Sequence, residues 1–124
     1  MAVHNIIGKK GEEIARKYLE NRGYKIVEQN YQTKRAEVDI IARHKNQLVF
    51  VEVRTKHHEQ YGTPEDTIDY WKRMRLKRNA IGYIHRMKYS GPYRIDAVCL
   101  VVDPARGVKR IDHYENIIES WTCG

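Results

Sequence analysis

The stretch EVDIIARHKNQLVFVEVR, Glu37 to Arg54, decides the fold. Two alternating runs flank a polar break at His44-Lys45-Asn46-Gln47, which is the pattern of a β-hairpin. With the turn centred between Lys45 and Asn46, antiparallel pairing sets Val38 opposite Val53, Ile40 opposite Val51 and Ala42 opposite Val49, a wholly apolar face. The other face pairs Arg43 with Leu48, Ile41 with Phe50, Asp39 with Glu52 and Glu37 with Arg54. Directly opposed Cβ atoms lie roughly 4.5 to 5.5 Å apart, so Asp39 and Glu52 form an unfavourable like-charge pair. A bound divalent cation or a shared proton would neutralise it, which makes these acids the first candidates for chemistry. The alternative is a solvated sheet face on which the two acids relax apart, helped by Arg54.

The 124 residues read as a single domain, 1–124, large enough for a core. With 23 Lys and Arg against 16 Asp and Glu, the net charge of +7 favours a polyanion partner, nucleic acid ahead of anionic membrane. The longest apolar run, Ala97 to Val102, is too short to span a bilayer, and no apolar secretion signal opens the chain, so a cytoplasmic location is expected. Two cysteines, Cys99 in an apolar strand pattern and Cys123 near the C-terminus, do not suggest a disulfide framework. The six histidines lack zinc spacing, and no transition-metal site is expected.

Outward from the hairpin, Ile7 to Arg22 has helical periodicity and ends at Gly23, where a left-handed cap is wanted. Glu12 falls at the rim of its apolar face, leaning toward the protein body or pairing with Arg16 at i+4. Tyr24 to Tyr31 reads as a strand. After Arg54, residues 55–62 read as a mobile polar loop. Thr63, Pro64 and Asp66 mark the start of a second helix running to about Met87, with Leu76, Ala80, Tyr83, Ile84 and Met87 as its buried stripe. Lys72 lies one turn before that stripe, where it reaches the acids, holds a phosphate or covers apolar surface. Arg73, Arg75, Lys77 and Arg78 form a basic face suited to phosphates.

Ser90-Gly91-Pro92 breaks the helix, and Tyr93 to Asp103 reads as a strand buried on both sides. Arg94 and Asp96 look like a structural pair near its start, with Asp96 as an alternative ligand. Val108 to Tyr114 is a further strand, and Ile117, Ile118 and Trp121 should pack back on the body. The order α-β-β-β-α-β-β predicts an α/β fold: one mixed sheet with helices on both faces.

Gly11-Glu12-x-x-Ala15, Gly23-Tyr24, Asn30-Tyr31, Glu37-Val38-Asp39-Ile40-Ile41-Ala42, Val49-Phe50-Val51-Glu52-Val53-Arg54, Gly62-x-Pro64, Lys72 and Arg94-Ile95-Asp96-Ala97-Val98 together resemble the uncharacterised YraN-like bacterial family. That family is similar to archaeal Holliday junction resolvases and to restriction-endonuclease-like nucleases. The resemblance implies a restriction-endonuclease-like core, with Asp39 and Glu52 as ligands of Mg2+ or Mn2+ and Glu12 as a third carboxylate. It further implies Arg54 in the catalytic group, with Glu37, set beside it by the ladder, as a secondary residue orienting it; Lys56, two residues on along the same face, is a stand-in for the missing lysine or a phosphate contact, and position on the basic helix puts Lys72 and Arg73 on phosphate. The nuclease pattern has lysine where this chain has Arg54, which stays protonated and is a poor general base. Ala36 and Gln32 replace the family's usual glycine and arginine. The implied function is nucleic-acid binding, DNA foremost, with magnesium-dependent endonuclease action on branched or damaged DNA. A homodimer would suit a branched substrate. The alternatives are a non-catalytic nucleic-acid- or protein-binding module on the same fold, or a basic protein-interaction domain.

Overall fold

The computed structural model describes residues 3–120, with side chains from 6 to 119. The elements are α1 (Val3–Asn21), β1 (Lys25–Gln32), β2 (Glu37–His44), β3 (Gln47–Lys56), α2 (Tyr70–Met87), β4 (Tyr93–Asp103), β5 (Gly107–Tyr114) and α3 (Ile117–Ser120). A mixed five-stranded sheet runs in sequence order; β3 and β4 are parallel across the α2 connection, and the other neighbours are antiparallel. Parallel neighbours need such a crossover, whereas the β2–β3 turn needs only Lys45 and Asn46, both at positive φ.

Two apolar layers sandwich the sheet. Ile7, Ala15 and Leu19 of α1 meet Ile40, Ala42, Val49, Val51 and Val98 on one face. Leu76, Ala80 and Tyr83 of α2 meet Ile41, Phe50, Ile95, Ala97 and Cys99 on the other, with Ile117 of α3 closing that layer. Strand β4 is buried on both sides for most of its length, as its continuous apolar run requires. Gly23 (φ 89) caps α1, with Tyr24 N donating to Leu19 O at 3.0 Å. No helix of the described residues is long and apolar enough to cross a membrane.

The hairpin register agrees with the expectation from Ile40–Val51 to His44–Gln47. Val38 departs from it. Instead of joining Ile40 and Ala42, it packs with Tyr31 in the α2-side layer. Opposite Asp39, β1 kinks at Asn30 (φ 51), and β2 beyond Ile40 follows β1 through Tyr31–Val38 and Gln32–Glu37. Strand β3 meanwhile continues along β4 from Glu52–Ala97 to Lys56–Val101. The two hairpin strands therefore part at Asp39 and Glu52.

The second helix also begins later than its signals suggest. Thr63 and Asp66 do form reciprocal bonds, Thr63 N to Asp66 Oδ2 at 2.9 Å and Asp66 N to Thr63 Oγ1 at 3.2 Å, but they cap a single 3-10 turn, Glu65–Thr67. Ile68 leaves helical geometry (ψ 70) to bury its side chain in the core, and Asp69 caps α2 by accepting from Lys72 N at 2.8 Å. Met87 is 49% exposed and does not join the buried stripe. The segment expected to be a mobile loop is tied down: β3 extends through Lys56, and Arg110 of β5 binds Glu59 at 2.8 Å and Glu65 at 2.7 Å. That bond holds the Glu65 carboxyl well down, at about 2. Trp121 and Cys123 lie outside the described residues; Cys99 is buried in β4.

Candidate functional site

The parting of β2 from β3 leaves Asp39 and Glu52 at the crotch of a fork. Where the ladder would have continued, Asp39 Oδ2 accepts the Val53 N–H at 2.8 Å, so its side chain caps the backbone that the missing strand would have paired. Glu52 is buried, with 6% exposure, and is held by two cations, Arg54 at 2.9 Å and Lys72 at 3.3 Å. Burial first, and the negative charge of Glu52 second, push the Asp39 carboxyl well above the ordinary carboxylate range.

Glu12 reaches the same electrostatic neighbourhood from α1. Gly11 makes this approach feasible: a Cβ there would collide with the Thr55 hydroxyl and stand 2.8 Å from the Thr55 Cβ. The helix thus lies directly on β3, and the next residue faces the acids. Burial raises the Glu12 pKa, followed by the charges of Glu37 and Glu52. Glu12 is not held by Arg16, which pairs with Glu20 at 2.6 Å instead.

Lys72 occupies the first turn of α2 and bridges the helix to Glu52, the first of the three roles its position allowed. The other expected contacts are redistributed. Arg54 binds Glu52 rather than standing beside Glu37, because Glu37 has left with β1; the Glu37 carbonyl accepts from Asn79 Nδ2 at 3.0 Å. Among the described residues, buried Arg54 Nε has no hydrogen-bond partner. Arg73 turns inward and donates to Ile68 O at 3.1 Å. Lys56 lies within β3, its Nζ 3.5 Å from where a Cβ on Gly62 would stand.

Two clefts open at this end of the sheet. On the α2 side, a cleft of about 670 Å³ is lined by Lys34, Arg35, Lys72, Arg75 and Arg78, with Glu37 its one acid. On the α1 side, a cleft of about 450 Å³ is lined by Lys9, Glu12, Arg16 and Asn30 among others. Lys72 belongs both to the larger cleft and to the Glu52 contact, so an anion lying in that cleft ends beside the acids.

A second polar cluster, on the α1 face near the start of β4, eluded the histidine spacing. Asp96, His113 and Glu115 bring one ligand atom each within 4.8 Å of one another, a donor set able to hold a metal. Here those donors are engaged in a network. The fully buried Asp96 takes Arg94 Nε at 3.0 Å, His113 Nε2 at 2.8 Å and Asn116 N at 3.0 Å, and Arg94 also binds Glu115 and Tyr24. The expected Arg94–Asp96 pair is its core.

Comparison with known proteins agrees with the motifs. The profile of "Uncharacterised protein family UPF0102" matches residues 11–100. A UPF0102 protein of Thermodesulfovibrio yellowstonii is 38% identical over 110 residues, covering 89% of this chain and 93% of that one. One from Porphyromonas gingivalis is 39% identical over 116 residues, 94% of this chain and 86% of the relative. One from Caldanaerobacter subterraneus is 36% identical over 113 residues, 89% and 92% respectively.

Proposed function

The chain belongs to the uncharacterised protein family UPF0102, and from that premise we propose that it binds nucleic acid and cuts it as a magnesium-dependent endonuclease with a restriction-endonuclease-like core. The observation that carries this reading is the pair of carboxylates at the fork, joined through Lys72 to a cleft with five cations. DNA that is branched or damaged is the substrate class favoured by the resemblance in sequence.

The donor set fits a hard divalent cation. Asp39 and Glu52 offer only oxygens, and Mg2+ is commonly held by one or two carboxylates together with substrate phosphate. Burial first and the Glu52 charge second raise the Asp39 pKa, and the second of these is what such a cation would relieve. Bound there, Mg2+ or Mn2+ would supply Lewis-acid activation of water and stabilise charge developing on the phosphate. The remaining tasks fall to the chain. Arg54 cannot release its proton, so it clamps phosphate rather than acting as a base. Lys72 couples the phosphate cleft to Glu52. Glu12, with its raised pKa, orients water or accepts its proton. Glu37 lines the cation cleft beside Lys72.

The test uses junction, flap and single-stranded DNA with Mn2+. Wild type should nick at least one of them, and Glu52→Ala should abolish nicking while the DNA mobility shift persists. Cutting undiminished in Glu52→Ala would overturn the assignment.

One observation favours a second reading. Glu52 is already neutralised from within by Arg54 and Lys72, so the fold holds this acid without a metal. On that reading the protein is a non-catalytic nucleic-acid-binding module, and DNA is shifted but uncut in every metal tried.

A further inference from the structure

Trp71 leaves 72% of its surface in water, although it is among the largest apolar side chains available to a core. Its helical position gives that exposure a direction. Trp71, Arg75 and Arg78 follow the i, i+4, i+7 spacing that aligns side chains on one face of a helix. Arg75 and Arg78 line the cation cleft together with Lys34, Arg35 and Lys72, and Trp71 continues their helix face one turn beyond that lining, in the same first turn of α2 as Lys72. Tyr70, also exposed, packs against it in a T-shaped arrangement with ring centroids 5.2 Å apart, which steadies the indole without covering it.

A cation track with an aromatic ring at its end is how proteins hold single strands: the cations follow the phosphates, and the ring takes a base. In continuous duplex the bases are already stacked on one another and offer no free face to Trp71. We propose that Trp71 stacks on an unpaired nucleobase whose phosphates lie along the Lys34, Arg35, Arg75 and Arg78 cleft, so that the site selects single-stranded or branched nucleic acid over continuous duplex. This deepens the nucleic-acid reading and rests on it.

Fluorescence anisotropy of a labelled oligothymidylate and of a blunt duplex, in EDTA so that nothing is cut, separates the two ideas. Trp71→Ala should weaken oligothymidylate binding about tenfold and leave duplex binding within about twofold, since a lost base stack lowers affinity roughly 5- to 150-fold and phosphate contacts are unaffected. Trp71→Phe should recover most of the loss, because a benzene ring still stacks. Losses equal on both nucleic acids, or absent on both, overturn the stacking role while leaving nucleic-acid binding in place. Wild type that binds neither oligonucleotide at low salt overturns both, and capture of an acidic protein instead would assign the surface to that partner.

Discussion

Asp39→Asn should make the metal-free protein more stable at alkaline pH, the reverse of the usual result for a buried polar residue. Asparagine keeps a carbonyl oxygen to accept the Val53 N–H, so the backbone cap at the fork survives while the charge facing Glu52 disappears. The Asp39 carboxyl is pushed from the ordinary 3.8 up to about 8, by burial first and Glu52 second. A folded-state pKa raised above the unfolded value means that folding favours the protonated acid. The stability this contributes is fully present below about pH 4 and is lost as pH rises through about 8. At about 1.36 kcal/mol for each pKa step, the upper limit is about 6 kcal/mol. Asp39 is part-exposed and Lys72 and Arg54 screen its neighbour, so about 1–3 kcal/mol is the expected cost at pH 9. For a chain of this length that is a Tm about 4–12 °C higher in Asp39→Asn at pH 9. The advantage should shrink steadily toward pH 4. Mn2+ should raise the wild-type Tm at pH 8 and leave the variant unmoved. Thermal melts across pH 4 to 9, with EDTA or Mn2+, make the measurement. An advantage that does not vary with pH, or a variant less stable than wild type at pH 9, would refute the electrostatic account of the fork.

Gly11→Ala should destabilise by roughly 1–3 kcal/mol in urea titrations, because its Cβ overlaps Thr55 and must push α1 off β3. Gly8→Ala, with none of the described atoms within 4 Å of the new Cβ, should instead stabilise by about 0.5–1 kcal/mol through helix propensity. Arg110→Gln should raise hydrogen exchange across residues 57–66, since Glu59 and Glu65 lose their common partner, while β3 and β4 keep their protection.

The hairpin register, the two helix faces and the burial of β4 were legible because each is carried by periodicity within one segment. The alternation around Lys45–Asn46 places Ile40 on Val51 without help from elsewhere. Val38 escapes the same logic because its side is set by the kink at Asn30 in another strand. The start of α2 was misplaced for a related reason: Thr63, Pro64 and Asp66 do make their cap, but the burial of Ile68 overrides helical continuation. Lys72 was recognisable from its place one turn before Leu76. The clasp of Arg110 on Glu59 and Glu65, and the joining of His113 to Asp96, link residues 17 to 51 positions apart and leave no local pattern to read.

The separation of β2 from β3 past Ile40–Val51 divides the sheet into two wings, one carrying the end of β1 with β2 and the other carrying β3 with β4 and β5. Asp39 rides on the first wing and Glu52 on the second. Asp39 bonds across the gap to Val53 N of the second wing, so the spacing of the two carboxylates depends on how both wings are held. A ligand held by both acids would therefore cross-link the two wings of the sheet.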